Sequence, residues 1–229
     1  MNLLAFDTST EYLSLAIMRD NELFKYDVLA GQTHSQIILL QIQALLSQAT
    51  LTLQALDGLA FGAGPGSFTG VRIAAGVAQG LGFGANLPVV GICTLMALAE
   101  ASGASKVIAC LDARMGEVYH AVYVKNATNW QAIIEPGLYK PDAVPMIEGD
   151  DWVGVGSGWR TYGELLTAAY IGQIQSMQPD LLPVASAVLT LAKPIFQVGQ
   201  AKSAEYAMPI YIRNRVALKT AEREQGLRL

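Results

Sequence analysis

The run from Gly62 to Gly84, GAGPGSFTGVRIAAGVAQGLGFG, constrains this chain more than any other stretch. Eight of the chain's 22 glycines fall in it. Between Asp57 and Glu100 the sole charged side chain is Arg72, where an average soluble segment of this length would carry about ten. A stretch this neutral is core, a close-packed helix contact or a partner-binding face. Gly62-Ala63-Gly64-Pro65-Gly66-Ser67 reads as irregular, because the glycines permit backbone angles closed to other residues and Pro65 fixes its own φ. From Phe68 the spacing predicts a helix, with Thr69 or Ser67 as N-cap. Val71, Ala74, Ala75, Ala78 and Leu81 fall on one side of it. Gly76, Gly80 and Gly84 are four apart and form a groove. Each interior glycine costs a helix about 0.5–1 kcal/mol against alanine, so something is expected to pack where the side chains are missing.

The chain has 229 residues, enough for one large domain or two small ones. Only 15% of them are charged and 52% are hydrophobic, lean for a protein that exposes its whole surface. A net charge of −4 argues against gripping nucleic acid alone through a basic face. Met1-Asn2-Leu3-Leu4-Ala5 has no basic region before a long apolar run, so no signal peptide is expected. Gln79, Asn86, Pro88 and the glycines up to Gly91 argue against a membrane span. Cys93 and Cys110 sit in apolar runs and read as reduced core cysteines of a cytoplasmic protein.

In chain order, Leu3-Leu4-Ala5-Phe6 predicts a buried strand ending at Asp7-Thr8-Ser9-Thr10. Two more strands follow, around Leu13 to Ile17 and Leu23 to Leu29. Thr33-His34-Ser35-Gln36 reads as a capping box with Thr33 as N-cap, opening a helix to about Gln48. Ile38, Ile42, Leu45 and Ala49 make its inner stripe, and Ile37 and Leu40 widen the apolar face. A strand at Gly58-Leu59-Ala60-Phe61, the glycine stretch, a strand Val89 to Ile92 and a helix from Thr94 to about Ser102 complete this half. After Gly103-Ala104-Ser105 the pattern restarts. Val107-Ile108-Ala109-Cys110-Leu111-Asp112 echoes the first strand, and Trp130 to Ile134 supplies another third strand. Asp151-Trp152-Val153-Gly154-Val155-Gly156-Ser157-Gly158 matches Asp57 to Gly64 in kind. Helices are expected near Thr161 to Tyr170 and from about Ala185. The pattern is an internal duplication: an α/β chain of two similar βββαβα subdomains, residues 1–103 and 104–229, facing a cleft. That is the architecture of the actin, sugar kinase and Hsp70 (ASKHA) superfamily.

In the actin-like fold the first hairpin turn embraces phosphates. Here that turn has Asp7 and Ser9 but no glycine, and its plain reading is a turn held by its own hydrogen bonds. The glycine loop has no lysine for a P-loop, no acidic residue about 20 positions on for a dinucleotide fold, and a proline where a G-x-S-x-G elbow needs glycine. Anion binding through the amides of Gly64, Gly66 and Ser67 with Arg72 nearby stays open. So does the plainer reading that the glycines allow close packing and Arg72 pairs with a carboxylate. His34 and His120 have no second ligand at metal spacing. Asp112-Ala113-Arg114-Met115-Gly116-Glu117 is a charged turn, either facing a ligand or holding a local ion pair.

Four segments together resemble the bacterial TsaB (YeaZ) family. They are Leu4-Ala5-Phe6-Asp7-Thr8-Ser9, the Gly-Pro-Gly-Ser-Phe-Thr-Gly-Val-Arg core of the glycine stretch, Leu111-Asp112-Ala113-Arg114-Met115-Gly116-Glu117-Val118-Tyr119 and Pro209-Ile210-Tyr211-Ile212-Arg213. The glycine stretch is shared with the paralogous TsaD family. The resemblance implies a part in forming N6-threonylcarbamoyladenosine at position 37 of tRNAs that read codons starting with A. It implies a non-catalytic subunit that binds and activates a TsaD-like transferase, with a TsaE-like ATPase joining them and tRNA met only through the complex. TsaD-like proteins carry an H-x-x-x-H metal motif whose positions here are Thr94 and Leu98, so that metal site is not expected. Nor does the old glycoprotease label find a nucleophile–base pair or a metal set. The expected interface comprises Thr33, Ile37, Leu40, Arg72, Ala74, Ala75, Ala78 and Leu81, the same face serving a homodimer when the chain is alone. No cofactor is expected beyond weak nucleotide binding. The competing reading is a nucleotide-binding enzyme, ATPase- or kinase-like, using Asp7, Ser9, Gly156 and Gly158. Direct tRNA binding would rest on the tail residues Arg213, Arg215, Lys219, Arg223 and Arg228.

Overall fold

A computed structural model describes residues 1–127 and 129–213. The tail residues Arg215, Lys219, Arg223 and Arg228 lie outside the described residues.

The first strand sets the pattern. In β1 (Asn2–Asp7) successive side chains point to opposite faces of a sheet. Leu4 and Phe6 enter one core, with the helices that carry the glycine stretch, and Leu3 and Ala5 enter another. β1 pairs antiparallel with β2 (Tyr12–Arg19), which pairs antiparallel with β3 (Glu22–Leu29). α1 (His34–Gln48) then crosses over to β4 (Gly58–Gly64), which runs parallel to β1. α2 (Phe68–Ala85) leads to β5 (Val89–Cys93), parallel to β4. The sheet order is β3-β2-β1-β4-β5. α3 (Thr94–Ala101) closes this half.

The second half repeats the order. β6 (Lys106–Arg114), β7 (Glu117–Asn126) and β8 (Asn129–Tyr139) form a meander. β9 (Trp152–Val155) is parallel to β6, then come α4 (Ser157–Ala169) and β10 (Ile174–Gln178), parallel to β9. The second sheet reads β8-β7-β6-β9-β10, element for element the first. Two identical strand orders in one chain define a duplicated actin-like α/β fold. The second repeat differs in two respects from the expected pattern. It has a fifth strand, β10, as the first half has the expected β5, and residues 140–151 form no helix where α1 stands in the first half.

α5 (Ala185–Gln197) leaves the second sheet and returns to the first. Its Ala185, Val188 and Ala192 pack with Leu3, Ala5 and Ala16, and the Ala185 amide donates to Ser14 Oγ at 2.7 Å. α3 lies between the halves, with Ala97 in the core of the first sheet and Leu95 and Leu98 in that of the second. Beyond α5 the chain runs along the first half. Lys202 and Val89 exchange both backbone hydrogen bonds, and Ala204 and Ala207 are buried beside α2.

Two local expectations change and a third is decided. β4 continues through Gly62 to Gly64, where an irregular loop was expected, because Gly62 and Gly64 pair with Ile92 and Cys93 of β5. Thr33 does precede α1, but its hydroxyl donates to the Ala30 carbonyl at 2.8 Å and makes no cap bond, so the capping box is not formed. Ser67 caps α2, its hydroxyl accepting from the Gly70 amide at 3.3 Å.

Candidate functional site

Two surfaces qualify: the cleft between the halves, and the exposed face of α1 and α2.

The cleft has a volume of about 910 Å³ and is lined from both halves, by Ser9, Ser67 and Thr69 on one side and Asp112, Ser157 and Arg160 on the other. Its floor on the first-half side is sealed. A Cβ at Gly62 would collide with the Asp7 carboxylate, at Gly66 with Ser9, and at Gly70 with the Thr8 carbonyl. The glycines thus let α2 and its loop lie directly on the Asp7–Ser9 turn. Thr8 Oγ1 completes the contact by donating to Gly70 O at 2.7 Å. Gly64, at φ 109°, meets the Ile210 carbonyl.

Asp7 is 1% exposed and does not line the cleft. Its Oδ1 accepts from the Ser9 amide at 2.8 Å and the Ser9 hydroxyl at 2.6 Å, while Oδ2 is buried with no partner. Burial pushes its carboxyl above the usual carboxylate range, against the pull of the Ser9 hydrogen bonds and of His34. This is a turn-holding carboxyl sealed from ligands, which removes Asp7 from the phosphate-binding reading. Gly156 and Gly158 leave it for a related reason. A Cβ at either would collide with Cys110, so both serve to seat α4 on β6. Ser9 and Ser67 do reach the cleft, together with Gly66.

His34 is buried at the start of α1, its Nε2–H donating to the Tyr12 carbonyl at 3.1 Å. His120 is fully buried in the second half. Tyr170 OH donates to Pro145 O at 3.0 Å and so accepts from His120 Nε2–H at 2.8 Å, which leaves Nδ1 without a partner. Burial lowers the His120 pKa to about 4. At the positions of the TsaD-like metal motif, Thr94 Oγ1 accepts from the Gly64 amide at 3.1 Å and Leu98 is core. Among the described residues no three His, Cys, Asp or Glu side chains come together as a metal set, and no helix is long and apolar enough to cross a membrane. Asp112 and Arg114 form the local ion pair that the charged turn offered, at 3.2 Å.

The helix face corrects the expected interface. Ala74, Ala75 and Ala78 point into the first half's own core and are at most 5% exposed, so they are not available to a partner. Leu81 and Ile37 are half-buried against the same core. The exposed side of α2 carries Gly76, Gly80 and Gly84, where an added Cβ would meet nothing within 4 Å. Beside them Phe83 is 65% exposed, and on α1 Leu39 and Leu40 are 54% and 64% exposed. Thr33 is also exposed. Among the described residues Arg72 pairs with no carboxylate. Its guanidinium stacks 3.4 Å over the Phe68 ring, and its Nε donates to Tyr211 OH at 2.7 Å. Sequence periodicity found the apolar stripe of α2 but not its use. The groove expected along Gly76, Gly80 and Gly84 lies on this exposed side, while Leu39 and Phe83 were not expected there.

The fold defines the class first: an actin-like protein of two duplicated halves. The model of the family "TsaD: tRNA N6-adenosine threonylcarbamoyltransferase" matches residues 28–218. The tRNA threonylcarbamoyladenosine biosynthesis protein TsaB of Escherichia coli K12 is 39% identical over 228 residues, covering 96% of this chain and 97% of that one. Its namesake in Haemophilus influenzae is 39% identical over 233 residues, covering 96% of each. Among solved structures, YeaZ from Pseudomonas aeruginosa superposes with a TM-score of 0.82 at 35% identity, over 92% of this chain and 99% of that one. A second protein from that organism, described as similar to peptidase YeaZ, gives a TM-score of 0.87 at 36% identity over 93% and 99%. The chain belongs to the TsaB (YeaZ) family, a family of tRNA threonylcarbamoyladenosine biosynthesis.

Proposed function

We propose that this chain is a non-catalytic subunit that docks on a TsaD-like transferase and sustains its activity in forming the threonylcarbamoyl group on adenosine 37 of tRNA. The observation that carries the reading is the exposed α1–α2 face. Leu39 and Leu40 of α1 and Phe83 of α2 are exposed, and Gly76, Gly80 and Gly84 leave a furrow along α2. Glycines that weaken a helix and meet nothing among the described residues are accounted for when another helix lies in the furrow. The match of a TsaD family model to residues 28–218 supports a partner of similar architecture, met through equivalent helices. Without the partner, the same face pairs with a second copy. A TsaE-like ATPase joins the assembly, and tRNA is met through the complex, in the cytoplasm. Arg213, the described member of the basic tail, is tied down within the chain, which supports indirect contact with tRNA.

The test is co-elution of the purified chain with the TsaD-like protein of the same organism. Wild type is expected to form a stable complex, and Leu40→Glu and Gly80→Arg to lose it while remaining folded. A complex that survives both changes contradicts this docking face. The competing nucleotide-binding reading has the cleft in its favour. It predicts heat on titrating ATP and Mg²⁺ into the isolated chain, where the subunit reading predicts weak binding at most.

A further inference from the structure

We propose that residues 207–213 form a clasp that fixes the angle between the two halves at the mouth of the cleft. The halves are already joined at their base, where α3 shares its side chains between the two sheets. The clasp is a second, distant attachment. At its first-half end Gln79 Nε2 donates to Ala207 O at 3.1 Å, the Ile210 amide donates to Ala63 O at 2.7 Å, and Arg72 donates to Tyr211 OH. Two residues later the chain has crossed. Arg213 Nη1 pairs with Glu117 at 2.8 Å, and Nη2 donates to Ala113 O at 3.0 Å in the β6–β7 turn.

That turn needs a partner. Arg114, Met115 and Gly116 all have positive φ, a conformation costly for the first two. The Arg213 side chain, 11% exposed, is wrapped by this turn. A guanidinium holding a carboxylate and a carbonyl at once is a directional joint, unlike a surface lysine. With the base held by α3 and the mouth held by Arg213, neither rotation nor opening of the second half is free. In an open actin-like fold such motion is the ordinary expectation. The clasp also lines the cleft, from Ile210 to Arg213, so wider opening of the cleft requires Arg213 to let go. This rests on contacts within the chain and holds whether or not the docking reading does.

The test is hydrogen exchange on the full chain, at a dilution where sedimentation shows a monomer, with reciprocal variants. Arg213→Ala removes the second-half latch, and Glu117→Gln removes only its charge. Arg72→Ala removes an anchor on the first half and touches nothing in the second. The Ile210 amide should lose about tenfold protection in Arg213→Ala, as expected for losing charge-assisted hydrogen bonds, and less in Glu117→Gln. In Arg72→Ala the peptide spanning 113–118 should exchange faster, although the substitution lies in the other half. Unchanged circular dichroism confirms that each variant is folded, and Glu117→Gln stands in if Arg213→Ala is not. Protection that changes only on the side of the substitution means a local cap and overturns the clasp.

Discussion

Thr8 and Gly70 are locked together: the Thr8 hydroxyl donates to the Gly70 carbonyl at 2.7 Å, and the Thr8 carbonyl fills the space a Gly70 Cβ would need. The turn after β1 and the N-terminus of α2, two features that invite a phosphate, are spent on each other. Gly70 and Gly80 are therefore glycine for opposite reasons. Gly70→Ala should cost roughly 1–3 kcal/mol through overpacking against backbone. Gly80→Ala, facing open space, should gain about 0.5–1 kcal/mol from helix propensity. Urea denaturation of the two variants checks the pair. Equal effects would contradict the assignment of one glycine to the core and the other to the surface.

Asp7 should behave as a buried carboxyl that is costly to ionise. Its folded pKa is raised by burial, so the folded state holds its proton more tightly than the unfolded state does. The stability this contributes is complete below the ordinary carboxylate pKa and is lost as pH rises through the folded value. Asp7→Asn keeps an oxygen for the Ser9 donors and never ionises. It should match or exceed wild type at neutral pH, with the difference shrinking on acidification. Denaturation at several pH values measures this, and a strong loss for the variant at pH 7 would point to an ionised, functional Asp7.

His120 should act with the opposite sign. Its pKa falls to about 4 through burial, against about 6.5 unfolded. Stability is intact above the unfolded value and drains as pH falls from there toward 4, by about 3 kcal/mol for this group. His120→Phe cannot take up the proton, so its stability curve should be flatter across that window. Tryptophan fluorescence is a suitable probe, since Trp130, Trp152 and Trp159 all lie in the second half with His120. A variant with the wild-type slope contradicts the account.

Much of this was legible in the chain. The β1 and β6 runs, the restart after Gly103 and the 3.6-residue stripes of α1 and α2 carry their own periodicity. What was not legible lacked a local signal. β10, with Gln175, Ser176 and Gln178, is a polar edge strand and reads as loop. Gly62 and Gly64 look like a break, yet β5 supplies them a pairing partner. The apolar stripe through Ala74 and Ala78 and the glycine groove through Gly76 and Gly80 are both visible in sequence, but which of the two faces the core is decided by the sheet beneath α2. The Arg213–Glu117 joint links residues 96 positions apart and has no counterpart in either local sequence.

The central claim is that the chain serves a TsaD-like transferase through its α1–α2 face. The direct measurement is threonylcarbamoyladenosine formed on a tRNA transcript by the reconstituted pathway, read by mass spectrometry of nucleosides. The account predicts full modification with wild type, very little without this chain, and very little with folded Gly80→Arg or Leu40→Glu. Modification that proceeds undiminished with either variant, or with this chain present and the TsaD-like protein left out, would contradict it.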